Sequence, residues 1–281
     1  MTSANTVTRF TGFLYRIFLS RFIGAEGLGL FALVSPLYSI CCAIVASGLP
    51  VAAMKGISER IAKKDKEGAK AYTLSSLISV LAVSLALFLL IVFSSPLLAV
   101  MLGDVRALPS LRILAFAVLI TGFENIYKSA FYADGIVKVP AFTEIAEQLF
   151  RIAIVVCLIL SFAKDNIARS SAVLTFGIFA GEALSLIILF FSYRHVTRGI
   201  KPSSVKHCFP SLLDTAVPVT FSKTAETFLA SASNILIPAM LTMYGFSRNE
   251  ATEILGVISG MVMPLLFLPA VFTNAISVNL V

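Results

Sequence analysis

From Leu74 to Phe93 the chain runs for twenty residues without a single charge. A bilayer core is crossed by about 20 consecutive apolar residues in a helix. A second charge-free run spans Ile152–Phe162. Charged residues make up 13% of the 281 positions and hydrophobic ones 58%, against roughly 25% charged in a soluble domain. The pattern predicts an all-α polytopic membrane bundle. Eight spans are expected, at about 7–24, 28–54, 71–102, 108–133, 139–163, 169–194, 211–243 and 251–280. Turn signals at Gly24–Gly27, Leu102–Asp104, Ala133–Gly135 and Tyr244–Gly245 separate them. The N-terminal apolar run lacks a small-residue cleavage site, so it reads as a span and not as a signal peptide.

The net charge of +7 is not a nucleic-acid footprint, because most of the basic residues lie between spans. The second, fourth and sixth connections hold Lys55, Arg60, Lys63, Lys64, Lys66, Lys70, Lys138, Arg194, Arg198, Lys201 and Lys206. The third, fifth and seventh hold Arg106, Arg112, Lys164, Arg169 and Arg248. That bias of about two to one predicts that the even connections and both termini are cytoplasmic. The cysteines, Cys41, Cys42, Cys157 and Cys208, form no CxxC pair and read as small apolar side chains.

Charges inside the spans are the informative exceptions. A charged side chain at the bilayer centre costs about 2.5–3.5 kcal/mol on insertion scales, so it normally faces protein or a watery cavity. In the first span Arg9, Gly12, Arg16 and Ser20 share one helical face, while Arg21 lies off it. The fifth span places Glu144, Glu147, Gln148 and Arg151 on one face. The fourth carries Glu124 and Lys128 four apart, beside Asn125. The sixth carries Glu182. In the seventh, Thr220, Lys223, Thr224, Thr227, Ser231 and Asn234 form one stripe, with Glu226 off it. Two readings stand for these groups. They line an internal cavity, or they are structural: Glu124–Lys128 and Glu147–Arg151 as local ion pairs, and the hydroxyl stripe as a helix contact. Prolines Pro36, Pro50, Pro218, Pro238, Pro264 and Pro269 are expected to bend their spans.

No HExxH, GxSxG, P-loop or DxD-type cluster occurs. The histidines, His195 and His207, fall in the sixth connection and read as solvated. The chain is therefore not expected to be an enzyme, and no cofactor or metal is expected.

The segment Gly12–Glu59 carries an Arg-x4-Arg helix, a Gly-Ala-Glu-Gly-x-Gly turn, Pro36, and Gly48-Leu49-Pro50 followed by Lys55 and Glu59. It resembles the opening of the stage V sporulation protein B and polysaccharide exporter branch of the multidrug/oligosaccharidyl-lipid/polysaccharide flippase superfamily. Gly122–Ile152, with Pro140 and Glu147-Gln148-x2-Arg151, is similar to the fourth and fifth helices of that branch. Thr215–Pro218 and Leu266–Val281 resemble its seventh and eighth. The resemblance implies two six-helix lobes around a central cavity. Residues 1–200 would form the first lobe and 201–281 the beginning of the second. The eighth span stops inside an apolar run, which reads as an N-terminal fragment.

The resemblance further implies transport of an undecaprenyl-linked saccharide or peptidoglycan precursor by alternating access, in cell-wall, polysaccharide or sporulation chemistry. Expected partners are this lipid-linked substrate, membrane lipids and wall- or polysaccharide-synthesis proteins. Arg9, Arg16, Lys223, Arg151 and Asn234 are the expected headgroup contacts. Glu124, Glu144, Glu147 and Glu182 are expected in ion coupling or charge balance. The rival readings are a cation-coupled multidrug exporter of the same superfamily and a non-transporting scaffold or inactive fragment.

Overall fold

The computed structural model describes residues 2–162 and 167–266, and within helices some side chains, those of Arg9, Arg16 and Asn234 among them, lie outside the described set. Its helices are α1 (Thr2–Val45), α2 (Gly48–Ala62), α3 (Lys66–Met101), α4 (Leu108–Ala133), α5 (Lys138–Phe162), α6 (Ile167–Val196), α7 (Phe209–Met243), α8 (Arg248–Gly256) and α9 (Met263–Leu266). Short 3₁₀ turns at Val105–Ala107 and Val205–Cys208 precede α4 and α7. A π-helical stretch, Val257–Val262, joins α8 to α9. There is no strand among the described residues.

The protein is a multi-pass membrane protein. Ile17–Ala62, Lys66–Met101, Val105–Ala133 and Ile167–Val196 are each long and apolar enough to cross a bilayer. Helices α5 and α7 are also long, but carry Glu144, Glu147 and Arg151, and Asp214, Lys223 and Glu226. Helix α3 has 36 residues, about 54 Å at 1.5 Å per residue, longer than a hydrocarbon core of about 30 Å. Its outer face shows Leu90, Phe93, Leu97 and Val100, each more than three-fifths exposed. Its inner face buries Ser75, Ser76, Ser84 and Ser95. The hydroxyls of Ser75 and Ser76 donate to the carbonyls of Ala71 and Tyr72 one turn back, so these two side chains are satisfied within the packed interior.

The expected turns at Gly103, Gly135 and Gly245 are present, each glycine in the left-handed region with φ of 82°, 74° and 99°. The boundary near Gly24 differs in kind. Helix continues on both sides, and the break is confined to Gly24 itself at φ 75°, ψ 174°. The expected second span, 28–54, is divided instead at Ala46–Ser47, and α2 extends to Ala62. Pro50 consequently lies in the first turn of α2, where an absent N–H leaves no hydrogen bond unmade. It begins that helix rather than bending it. The expected eighth span lies outside the described residues beyond Leu266. Helix α6 reaches Val196, so His195 falls in its last turn and not in a loop.

Helix α4 is the centre of the bundle, packed against α2, α3 and α6, with α5 packed on α6 and also touching α1 and α4. Helices α7 and α8 lie on α1 and α2. Glycine permits both close crossings. A Cβ on Gly256 would lie 1.9 Å from the Ala25 carbonyl oxygen, and one on Gly29 would lie 1.9 Å from that of Thr252. A Cβ on Gly48 would lie 2.1 Å from both the Ala216 carbonyl oxygen and the Thr220 hydroxyl.

Candidate functional site

The charges of the fourth, fifth and sixth spans come together in one buried network. On α4, Glu124 and Lys128 are one turn apart, and Lys128 Nζ lies 2.7 Å from Glu124 Oε1. The same ammonium reaches α5, 3.8 Å from Glu147 Oε2 and 3.9 Å from Glu144 Oε1. Arg151, one turn beyond Glu147, pairs with it along α5. Ser185 of α6 donates to Glu124 Oε1 at 2.7 Å. Glu124 and Glu182 are only 2% and 4% exposed, so their partners replace water in a place it does not reach.

Glu182 is bound differently. Tyr38 of α1 donates to its Oε1. Its Oε2 lies 2.6 Å from the hydroxyl of Thr121 on α4. Thr121 also lies 2.8 Å from the Ala117 carbonyl, so its single hydroxyl hydrogen has two acceptors in reach. Gly181 allows α5 and α6 to approach at this level. A Cβ there would lie 3.2 Å from Glu147 Cγ and 3.3 Å from Arg151 Nε. That Nε is itself buried without a hydrogen-bond partner.

Glu124, Glu144, Glu147, Glu182 and Arg151 thus occupy one site, and both local ion pairs expected from four-residue spacing are formed. Among the described side chains, four carboxylates and two cations gather there. Lys128, expected only as the partner of Glu124, is the hub. Tyr38, Thr121, Ser185 and Gly181 complete the site and had no mark in the sequence, being ordinary residues of apolar helices until the fold brings them together. Among the described residues, no group of three or more His, Cys, Asp or Glu is arranged to hold a metal.

Of the remaining expected residues, Lys223 stands apart from this network. The side chains of Arg9, Arg16 and Asn234 lie outside the described residues. The face of α1 that carries the two arginines is marked by Gly12, where a Cβ would lie 3.7 Å from the Gln148 amide nitrogen of α5. Lys223 is half exposed and pairs with Glu226 on its own helix at 2.9 Å. In the α7 stripe, Thr220 is a helix contact against Gly48, Ser231 is buried, and the Thr224 hydroxyl is buried without a partner.

A second charged group holds the opposite end of the bundle. Arg106 Nη1 lies 2.7 Å from Glu26 Oε1, just past the Gly24 break, and its Nη2 lies 2.7 Å from Asp104 and 3.1 Å from Asn249. Arg248 donates to the Gly103 carbonyl at 3.0 Å.

The described residues thus form a membrane helix bundle with an apolar outer surface and a mixed-charge network between its helices. The chain matches the polysaccharide biosynthesis protein family over residues 1–278, and it belongs to that family. It is 30% identical over its whole length to stage V sporulation protein B of Bacillus subtilis (strain 168), covering 56% of that protein. It is 24% identical over 99% of its length to the uncharacterized membrane protein YabM of the same organism, covering 53% of it. The chain therefore spans about half the length of the curated relatives it matches. Its fold is similar to that of an inward-facing multidrug resistance MATE family transporter of the MOP superfamily, with TM-score 0.68 and 18% identity over 92% of this chain and 60% of that one.

Proposed function

We propose that the protein is a flippase that moves an undecaprenyl-linked saccharide or peptidoglycan precursor across the bacterial cytoplasmic membrane by alternating access, with its N-terminus in the cytoplasm. The observation that carries this reading is the buried network of Glu124, Lys128, Glu147 and Arg151 in a member of a polysaccharide biosynthesis family. A pyrophosphate-linked sugar needs cations for its phosphates and a polar route for its hydroxyls. In this reading Arg9, Arg16, Arg151, Lys223 and Asn234 meet the headgroup. Residues 1–200 act as one rocking lobe, and residues 201–281 begin the other.

Glu182, with Glu124, Glu144 and Glu147, supplies coupling or charge balance. The hydrogen-bond pattern supports a proton-binding role for Glu182. With the proton on Oε2 it donates to Thr121, Thr121 donates to Ala117, and every group is satisfied. Without that proton two acceptors compete for the Thr121 hydrogen.

In a flippase-deficient bacterial strain, expression of the protein restores growth on this account and Arg16→Ala abolishes the rescue. Normal rescue by Arg16→Ala sinks the assignment of the α1 arginines. A second reading, a cation-coupled multidrug exporter, draws on the excess of carboxylates over cations in the network. It predicts drug resistance that rises with expression, lost in Glu182→Gln, with no effect on lipid-linked sugars.

A further inference from the structure

A cavity of about 310 Å³ opens among the ends of α2, α3, α4 and α6, near the lower limit of roughly 300–1,000 Å³ for small-ligand pockets. Ile61, Phe131 and Tyr193 are among its apolar wall, and Lys64, Lys66 and Lys70 supply its cations, with Asp134 the one acidic group lining it. Tyr193 packs at a tilt against Tyr127 and edge-on against Phe131, at 5.3 and 6.3 Å between ring centres. This aromatic contact closes the α4–α6 seam on the cavity side. Glu124 and Lys128 occupy the neighbouring sector of α4, turned toward Ser185 and α5. The cavity is thus separate from the charged network.

Two details show that the cationic side is built in. Helix α2 ends in a Schellman turn, with Asp65 N–H bonded to Arg60 O and Lys64 N–H to Ile61 O, both at 2.9 Å. The left-handed position of that turn is ordinarily glycine. Here it is Lys64, at φ 59°, and among the described residues it alone of the non-glycines has positive φ. A strained backbone position is thus occupied by a side chain whose charge lines the cavity. Lys70 is anchored from behind. Its ammonium donates to the carbonyls of Ile200 at 2.8 Å and Thr197 at 3.3 Å. Two of its three hydrogens are used, and one remains for a ligand.

We propose that this cavity binds an anionic phospholipid, its phosphate held by Lys64, Lys66 and the free donor of Lys70 and the upper part of its chains lying on Ile61, Phe131 and Tyr193. Three lysines against one aspartate select a negative headgroup. The apolar wall selects an attached chain over a free ion. A basic pocket between helix ends at the membrane surface suits a lipid phosphate. The proposed orientation names the leaflet, which is the cytoplasmic one, but binding itself does not depend on it or on transport.

The test is native mass spectrometry of the protein in neutral detergent, titrated with phosphatidylglycerol, phosphatidylcholine or inorganic phosphate. Wild type retains phosphatidylglycerol in preference to phosphatidylcholine, and inorganic phosphate does not displace it. Lys64→Gly is the informative variant, because it removes the charge and places the residue that suits φ 59°. It keeps or raises thermal stability without lipid yet lowers phosphatidylglycerol affinity roughly fivefold, and Lys64→Gly with Lys66→Ala lowers it roughly 30-fold. Equal retention of the two lipids, displacement by inorganic phosphate alone, or unchanged affinity in both variants overturns the proposal. Loss of flippase activity with lipid retention intact would count against the proposed function and leave this site standing.

Discussion

Lys128 and Glu124 meet 2.7 Å apart on α4, and the same lysine draws Glu144 and Glu147 of α5 to within 3.9 Å. One ammonium therefore joins two helices through three carboxylates. Removing one partner of a buried ion pair typically destabilises by about 3–5 kcal/mol, because the other charge is left uncompensated. Lys128→Met is expected to lower stability by an amount of that order. Lys128→Met combined with Glu124→Gln should recover a large part of the loss. A double-mutant cycle on thermal unfolding in detergent checks this, and additive losses would show that the pair is not coupled.

The crossing of α1 and α8 depends on backbone contact at Gly256. A methyl group there would fall 1.9 Å from the Ala25 carbonyl oxygen, which cannot move aside as a flexible side chain would. Gly103 has open space around its missing Cβ but a φ of 82°. Gly103→Ala should cost about 1–2 kcal/mol of backbone strain and leave the packing intact. Gly256→Ala should separate the helices. Spin labels at the exposed positions 22 of α1 and 253 of α8 read the difference: their separation should be unchanged in Gly103→Ala and should lengthen in Gly256→Ala.

Arg106 ties the α3–α4 connection to both α1 and α8 through Glu26 and Asn249. Its side chain is one-third exposed, so Arg106→Gln should change global stability by no more than about 1 kcal/mol. The local effect should be larger. Spin labels at the exposed positions 105 and 253 should show a wider distance distribution in Arg106→Gln, and an unchanged distribution would mean that other contacts hold this end.

At the start of α8, Ser247 and Glu250 form a reciprocal capping box. Hydrogen bonds from the Ser247 side chain and backbone hold the Glu250 pKa below its ordinary value. A depressed carboxylate stabilises the folded form above its unfolded pKa, and that contribution fades as pH falls through the folded pKa. Amide exchange at 249–251 should therefore accelerate as pH drops below about 4, after correction for intrinsic rates. Ser247→Ala should show the faster exchange already at neutral pH.

Legibility from sequence followed the range of the interaction. Gly103, Gly135 and Gly245 could be read as turns because each needs a left-handed backbone, a local requirement. Glu124–Lys128 and Glu147–Arg151 were readable because helical spacing alone pairs them. The Ser247-Arg-Asn-Glu250 box was equally local and was missed, although its Ser-x-x-Glu spacing is a known helix start. Tyr38 with Glu182 was out of reach, since 144 residues separate them and neither spacing nor composition links a tyrosine in one apolar helix to a glutamate in another. The hub role of Lys128 was hidden for the same reason, as it depends on where α5 lies beside α4. The α7 stripe follows from helical period alone, which does not say what the stripe faces. Its partner at Thr220 is Gly48 of α2, and only packing distinguishes such a contact from a cavity wall.

The central claim is that cations within the buried network serve the passage of an anionic headgroup. The most direct measurement reconstitutes the protein in vesicles with a fluorescent undecaprenyl-pyrophosphate saccharide and follows headgroup exposure to an impermeant quencher. Translocation faster than in protein-free vesicles, slowed roughly tenfold or more by Arg151→Gln as a lost charge-assisted hydrogen bond would do, is the predicted result. A rate equal to that of protein-free vesicles, or one that Arg151→Gln leaves unchanged, would contradict it.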